Sequence, residues 1–213
     1  MKDLVIVCED SFGLDVKMIA EGMDAYYVKN NRGHLFDIIG FICPENVKEK
    51  LQFKTLPFLS TIEDYQVSDN MVFAMGIVDP GRKEKYIRLL KEKNAEFVTL
   101  WAPWVLAPLT MKFKEGCIIA AHSIKENAEI GEFVTMFHSM AGGAKVGSFS
   151  SIMSYANVTT ADIGEGVYIA PNCAVMENVV VGEKSVIFPN SVVVKNVKAN
   201  TKVSGIPARK VKD

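Results

Sequence analysis

The sequence predicts an α/β unit followed by a parallel β-helix, and two observations carry that reading. Over residues 1–103, short apolar runs alternate with amphipathic stretches, the pattern of a small parallel sheet with a Rossmann-like wind. Over residues 104–213 an aliphatic residue instead recurs at nearly every sixth position. That period belongs neither to a helix nor to an ordinary alternating strand.

In the first unit, Leu4 to Cys8 reads as a buried strand, and Phe12, Val16, Ile19, Ala20 and Met23 follow at helical spacing. Phe36 to Cys43 is expected as the second strand. Ser60-Thr61-Ile62-Glu63 has the form of a short capped helix start, with Ser60 accepting from a free backbone N–H. Met71 to Met75 is a third strand. Asp79 and Pro80 supply the cap and first residue of a helix that runs to about Lys93 and buries Tyr86, Leu89 and Leu90. Phe97 to Leu100 closes the unit as a fourth strand.

In the second unit the aliphatic anchors are Ile118, Ile124, Ile130 and Met136, then Val146, Ile152 and Val158, then Ile163, Ile169, Val175, Val181, Ile187 and Val193. Two intervals break step: Met136 to Val146, and Val158 to Ile163. Small residues such as Ala128, Ser150, Ala156, Cys173, Ser185 and Ser191 come four positions after an anchor, and Gly131, Gly147, Gly164 and Gly182 directly follow one. Each hexapeptide is expected to form one short strand, and three of them one triangular turn. Anchors then stack inside and small residues fill the corners. A single turn cannot bury its own anchors, so the turns must stack.

Composition narrows the function. With 24 basic and 25 acidic side chains the net charge is -1, which gives no electrostatic reason to expect nucleic acid or an anionic membrane as a partner. No apolar run approaches the roughly 20 residues of a membrane span, so no membrane insertion is expected. Cys8, Cys43, Cys117 and Cys173 are scattered, without a Cys-x-x-Cys pair. They read as packed thiols of a cytoplasmic protein rather than as disulfides or zinc ligands.

Within the repeat, Ala141-Gly142-Gly143-Ala144-Lys145-Val146-Gly147 and the ending Val203-Ser204-Gly205-Ile206-Pro207-Ala208-Arg209 resemble the left-handed β-helix acyltransferases. With its α/β unit first and the junction Thr99-Leu100-Trp101-Ala102-Pro103, the whole chain resembles the bacterial sugar acetyltransferases. Among these it is most similar to the sialic acid O-acetyltransferases and the N-acetyltransferases of nucleotide-linked amino sugars. The resemblance implies a left-handed β-helix, a homotrimer, acetyl-CoA as co-substrate and a small-molecule sugar acceptor of surface polysaccharide biosynthesis. By position it places the coenzyme against Ala141, Gly142, Ala170 and Pro171, and acceptor contacts at Gly13. The alternative is a catalytically silent trimeric binding or scaffold relative.

Acetyl transfer to an amine or hydroxyl needs a base for the acceptor's proton. The family segment that carries the catalytic histidine is matched to Glu126-Asn127-Ala128-Glu129-Ile130-Gly131, so Glu126 stands where a histidine is expected. Two bases remain open, Glu126 itself and His138 in the shortened turn beside Ala141 and Gly142. His122 is read as structural and His34 as a surface residue. Only His122 and His138 lie in the repeat, which excludes the three-histidine zinc site of the related carbonic anhydrases; no metal is expected. The first strand leads into Cys8-Glu9-Asp10-Ser11-Phe12-Gly13, where only Gly13 keeps the family's glycine-rich turn and the two carboxylates would repel a phosphate.

Overall fold

The computed structural model describes residues 1–108 and 110–211. Its first part runs β1 (Lys2–Val7), α1 (Phe12–Lys29), β2 (Phe36–Cys43), β3 (Phe58–Thr61), β4 (Met71–Met75) and α2 (Pro80–Glu92). The four strands form one parallel sheet in the order β3-β2-β1-β4. Leu4 to Val7 have no exposure, because β1 is apolar on both faces. Leu4 and Ile6 pack with Val16, Ile19 and Met23 of α1, while Val5 and Val7 pack with Tyr86, Ile87 and Leu90 of α2. The helices therefore cover opposite faces. Gly13 lets α1 approach β1 closely, since a Cβ there would lie 2.6 Å from the Cys8 sulfur.

Two local expectations change. Ser60 and Thr61 end a strand rather than start a helix, because they pair with Ile42 and Cys43; the Thr61 hydroxyl instead accepts from the Asp64 N–H at 3.3 Å in the turn that follows. The segment from Phe97 to Leu100 is divided. Phe97 bridges to Phe73 in the lobe, whereas Leu100 already pairs with the second unit.

That second unit opens with β5 (Leu100–Trp101). Successive coils are β6 (Ile118–Ala120), β7 (Ser123–Ile124) and β8 (Glu129–Ile130); β9 (Thr135–Phe137), β10 (Met140–Ala141) and β11 (Lys145–Val146); β12 (Ser151–Ile152) and β13 (Asp162–Ile163); β14 (Tyr168–Ile169), β15 (Ala174–Val175) and β16 (Val180–Val181); then β17 (Val186–Ile187) and β18 (Val192–Val193). The chain ends in β19 (Lys202–Gly205), which turns back as the antiparallel β20 (Ala208–Lys210). Strands one coil apart pair in parallel, so the molecule is a three-walled β-solenoid. The first wall carries β5-β6-β9-β12-β14-β17-β19, the second carries β7 with β10 and β15 with β18, and the third carries β8-β11-β13-β16.

The stacked anchors are buried together: Ile130, Val146, Ile163 and Val181 on one wall, and Met136, Ile152, Ile169 and Ile187 on another. The short interval from Met136 to Val146 and the position of the first anchor each have a simple cause. Ala141 is the interior residue of the short interval, paired with Ile124. In the first full coil the interior residue is Ile119, not Ile118; Ile118 and Ala120 face outward and pack under the lobe. Because the lobe covers that wall, inner and outer positions are both apolar there, and spacing alone does not choose between them.

The corners explain the rest of the repeat. A Cβ at Gly131, Gly147, Gly164 or Gly182 would stand 2.4–2.6 Å from a backbone nitrogen of the next coil. Buried small residues tie coil to coil. Cys117 donates to the Gly131 carbonyl at 3.2 Å, Ser150 to Gly164 at 2.9 Å, Cys173 to Phe188 at 3.1 Å and Ser185 to Lys198 at 2.9 Å. Corner residues take left-handed φ even where they are bulky, as at Phe133 (54°), His138 (47°), Phe149 (62°) and Tyr155 (61°). Surrounding packing must offset that unfavourable backbone conformation.

Lobe and solenoid meet through aromatic contacts and two lysines of α2, of which Lys91 pairs with Glu115 at 2.8 Å at the surface. Phe12 meets Phe137 at 5.1 Å, and Phe97 meets Phe133 at 5.2 Å. Lys83 of α2 is fully buried against the first wall. Its amine reaches the Phe133 carbonyl (3.2 Å), the Thr135 hydroxyl (2.9 Å), the Ser150 carbonyl (3.3 Å) and the Ser151 hydroxyl (2.7 Å).

Candidate functional site

The carboxyl ends of β1 and β4 and the first turns of α1 and α2 all point toward the first wall of the solenoid, the position at which open parallel sheets bind ligands. Two groups of residues lie along this seam.

The first group surrounds His138. Its ring lies 4.5 Å from that of Phe137, 5.4 Å from His122, 6.3 Å from Tyr155 and 6.4 Å from Trp104, centroid to centroid. His138 is half-buried at the corner between the first and second walls, whereas His122, Tyr155 and Trp104 are exposed. Asp15, in the first turn of α1, faces this corner. Burial raises its pKa above the ordinary carboxyl value, and the positive charge of a protonated His138 pulls the other way. Asp15 is thus a carboxylate of a separate element within electrostatic reach of the imidazole. Next to it, the hydroxyl of Ser139 is the buried side-chain polar atom left without a partner among the described residues.

The second group lines a cavity of about 440 Å³ between the start of α2 and strands β14 and β17. Asp79 caps α2 by accepting from the Arg82 N–H at 2.9 Å, and Arg82 pairs with Glu9 at 3.0 Å. The Glu9 side chain is only 6% exposed. Burial raises its pKa, while Arg82 opposes that rise. Tyr168 is half-buried in the wall, and burial pushes its phenol pKa upward. Lys184 and Glu165 complete the lining.

The sequence-derived candidates are spread along this architecture. His138 lies on the seam. Glu126 is exposed in the turn after β7, and among the described residues it has no hydrogen bond or ion pair. The Ala141 side chain is inside the solenoid, and its carbonyl accepts from Lys125 and Gly143. Gly142 is covered by Thr159 and Lys125, the nearest atoms to a Cβ built there. Ala170 is buried; Pro171 is half-buried and gives its carbonyl to the Asn190 N–H. Gly13 meets Cys8 rather than open space. His34 is exposed and bonded to Asp24 at 2.7 Å. Asp15, Arg82 and Tyr168 were not singled out by the sequence. Arg82, three residues after its cap Asp79, carries a readable signal; Tyr168 occupies one outward position among many equivalent ones.

The described residues contain no group of histidine, cysteine and carboxylate side chains placed to hold a metal ion, and no helix long and apolar enough to cross a membrane.

No family model matches the sequence, and no curated protein matches it. The fold does match solved structures along its whole length: it is the fold of sugar N-acetyltransferases built on a β-solenoid. WeeI from Acinetobacter baumannii AYE is 17% identical, with a TM-score of 0.70, covering 99% of this chain and 100% of its own. A histidine variant of GDP-perosamine N-acetyltransferase from Caulobacter crescentus, in complex with CoA and GDP-perosamine, is 15% identical with a TM-score of 0.71, covering 100% and 98%. The acetyltransferase domain of PglB from Neisseria gonorrhoeae FA1090 is 13% identical with a TM-score of 0.69, covering 99% and 100%.

Proposed function

We propose that this chain is an acyl-CoA-dependent acetyltransferase acting on an amino- or hydroxy-sugar of surface polysaccharide biosynthesis, in the cytoplasm. The observation that carries the reading is that both parts of the chain, in order and at full length, share their fold with a sugar N-acetyltransferase bound to CoA. In this reading residues 1–103 are a Rossmann-like domain for the acceptor, and residues 104–213 are a left-handed β-helix.

His138 is the base. It takes the proton from the acceptor's nitrogen or oxygen as that atom attacks, and Asp15 stabilises the resulting imidazolium. Acetyl-CoA supplies the activated acetyl group when bound. The fit rests on the second wall, where Met176 (48% exposed) and Val194 (44%) stack in successive coils level with Gly142, and Met140 (40%) stands in the neighbouring outward column, making an apolar strip. Gly142 lies toward one edge of that wall and Ala170 and Pro171 toward the other. These residues would hold the pantetheine arm where a second subunit of a homotrimer closes the strip. Gly13 acts indirectly, by seating α1 so that Asp15 reaches the corner.

Coenzyme A release across a panel of free and nucleotide-linked amino sugars tests the activity. His138→Ala is expected to lower kcat/KM by about 10²–10⁴-fold. Glu126→Ala is expected to leave it within about twofold, since its carboxylate is exposed and makes no hydrogen bond or ion pair among the described residues. A histidine variant with unchanged rate removes His138 from the mechanism.

A catalytically silent trimeric relative is the second reading. It is favoured by the absence, among the described residues, of a side-chain hydrogen bond fixing the His138 ring. Tight acetyl-CoA binding with no turnover on any acceptor would select it.

A further inference from the structure

Four rings meet at the corner between the first and second walls, in coil order Trp104, His122, His138 and Tyr155, and the pairs in contact have centroids 5.4–6.4 Å apart. Trp104 and Tyr155 are 47% and 66% exposed, and neither side chain makes a hydrogen bond among the described residues. Trp104 is held there by its turn: the Val105 N–H donates to the Ala102 carbonyl at 3.0 Å, and the Leu106 N–H to the His122 carbonyl at 3.3 Å. Tyr155 stands at the corner against its backbone preference. In the next two coils the same position, just ahead of the buried Cys173 and Ser191, is Asn172 (φ 59°) and Asn190 (59°). Asparagine tolerates left-handed φ, whereas a tyrosine at 61° adopts it at a cost. Phe149, in the same backbone state, recovers that cost by stacking on Phe133 at 5.6 Å under the lobe. Tyr155 has no such cover in this chain. A strained, uncovered aromatic beside a candidate base marks a ligand contact.

We infer that Trp104 and Tyr155 are the specificity-determining platform for the acceptor: the apolar C–H face of its sugar ring rests on their rings, and the atom to be acetylated is held at His138. The inference rests on the acetyltransferase reading with His138 as base, and it names the residues that present the acceptor to that base. A pyranose suits such a ledge, because its C–H face packs on aromatic rings while the hydroxyls at its edge stay in water. The spacing suits it as well. With the two rings 6.4 and 6.3 Å from His138, a sugar seated on them brings an edge atom within the roughly 3 Å that proton transfer needs. A nucleobase would stack equally well, but it would keep the accepting atom away from the imidazole. Asp15, which faces this corner, would also repel a phosphate. The ledge therefore receives the sugar, and any nucleotide linked to it lies away from this corner.

The test is steady-state coenzyme A release by the full chain and three variants, on an acceptor that the sugar panel identifies. Tyr155→Asn and Trp104→Ala are each expected to raise the acceptor KM by about tenfold and to leave the KM for acetyl-CoA within about twofold. Tyr155→Asn gives the corner the residue type of the next two coils, so its thermal midpoint is expected to hold or rise. Tyr155→Phe restores the ring face and is expected to recover most of the lost acceptor affinity. Saturation-transfer NMR with methyl glucosaminide and UDP-glucosamine reads the platform without turnover. Transfer to ring C–H protons is expected from the wild type and not from Tyr155→Asn. An unchanged acceptor KM in both Tyr155→Asn and Trp104→Ala would overturn the inference, as would no transfer from the wild type to either probe. A loss in Tyr155→Phe as large as in Tyr155→Asn would overturn it by moving the role to the hydroxyl. A smaller oligomer in Tyr155→Asn would overturn it by making the residue a subunit contact. The enzymatic reading stands or falls separately. Transfer to the probes with no coenzyme A release on any acceptor keeps the platform and sinks the enzyme; release with both KM values unchanged in the variants does the reverse.

Discussion

The solenoid and the α/β lobe bury polar groups in opposite ways. In the solenoid the same small device recurs at several corners: Cys117, Ser150, Cys173 and Ser185 each donate to a carbonyl further along the coil. Where the lobe meets that stack, the buried polar contact is instead one long cation, Lys83, whose amine has four oxygen neighbours and no carboxylate among its hydrogen-bond partners. A repeated bond spreads its contribution, so the loss of one is felt locally. An unrepeated one concentrates it. The site lies on the seam that Lys83 secures, so function depends on the less redundant half of the architecture.

The sharpest attempt to break this contrast removes the lysine. Lys83→Ala takes the amine away from two hydroxyls and the Phe133 carbonyl, leaves the Ser150 carbonyl only its bond from the Thr135 N–H and opens a buried space, and the expected loss is roughly 3–5 kcal/mol of unfolding free energy. Ser150→Ala strands the Gly164 carbonyl and the Val167 N–H, which the hydroxyl joins at 2.9 Å each. Its expected cost is about 1–2 kcal/mol. Urea denaturation measures both. Equal losses would mean that the lobe is no more dependent on a single contact than the coils are.

Lys83 also gives the seam a pH dependence that the corners lack. Burial brings its pKa down from 10.5 to about 7. Between those values the unfolded chain binds more protons at this site than the folded one, so this contribution to stability rises with pH across the window and is flat below about 7. The slope is at most about 1.4 kcal/mol per pH unit. The cage serves either form, because the Thr135 and Ser151 hydroxyls can accept from the ammonium or donate to the neutral amine. Denaturation of the wild type and of Lys83→Met at pH 7 and pH 9 isolates the effect. The wild type should gain more than the variant over that interval, and equal gains would remove the lysine as the cause.

The same contrast decides what the sequence makes legible. Aliphatic anchors such as Ile152, Ile169 and Ile187 repeat, so their spacing announces the solenoid without any tertiary information. Legibility fails where a second body covers a wall. Ile118 and Ile119 are both buried, one under the lobe and one in the interior, and hydrophobicity cannot say which is which. Ser60 and Thr61 have good capping chemistry, yet pairing with Ile42 and Cys43 draws them into a strand. Of the candidate site, His138 was visible because the shortened turn marks it. Its neighbour Asp15 is 123 positions away in α1, and only the docking of α1 on Phe137 brings the two together. Lys83 reads as one more surface lysine of a basic helix, since nothing local signals that α2 turns it inward.

Ser139 gives the smallest effect and the finest test of the repeat. It occupies the corner position equivalent to Cys173 one coil pair further on, but in the shortened coil its hydroxyl reaches no carbonyl. A buried hydroxyl without a partner costs about 1–3 kcal/mol relative to one that is satisfied, so here the corner device is present in sequence and idle in structure. Ser139→Ala removes the unpaired group while keeping the small volume that the corner requires. Thermal unfolding is therefore expected to be unchanged or to rise by a few degrees, in opposition to Ser150→Ala. A loss comparable to that of Ser150→Ala would show that the hydroxyl is bonded after all, through a bridging water. The shortened coil would then be tied to its neighbours like the others, and the break in the repeat beside His138 would be one of length alone.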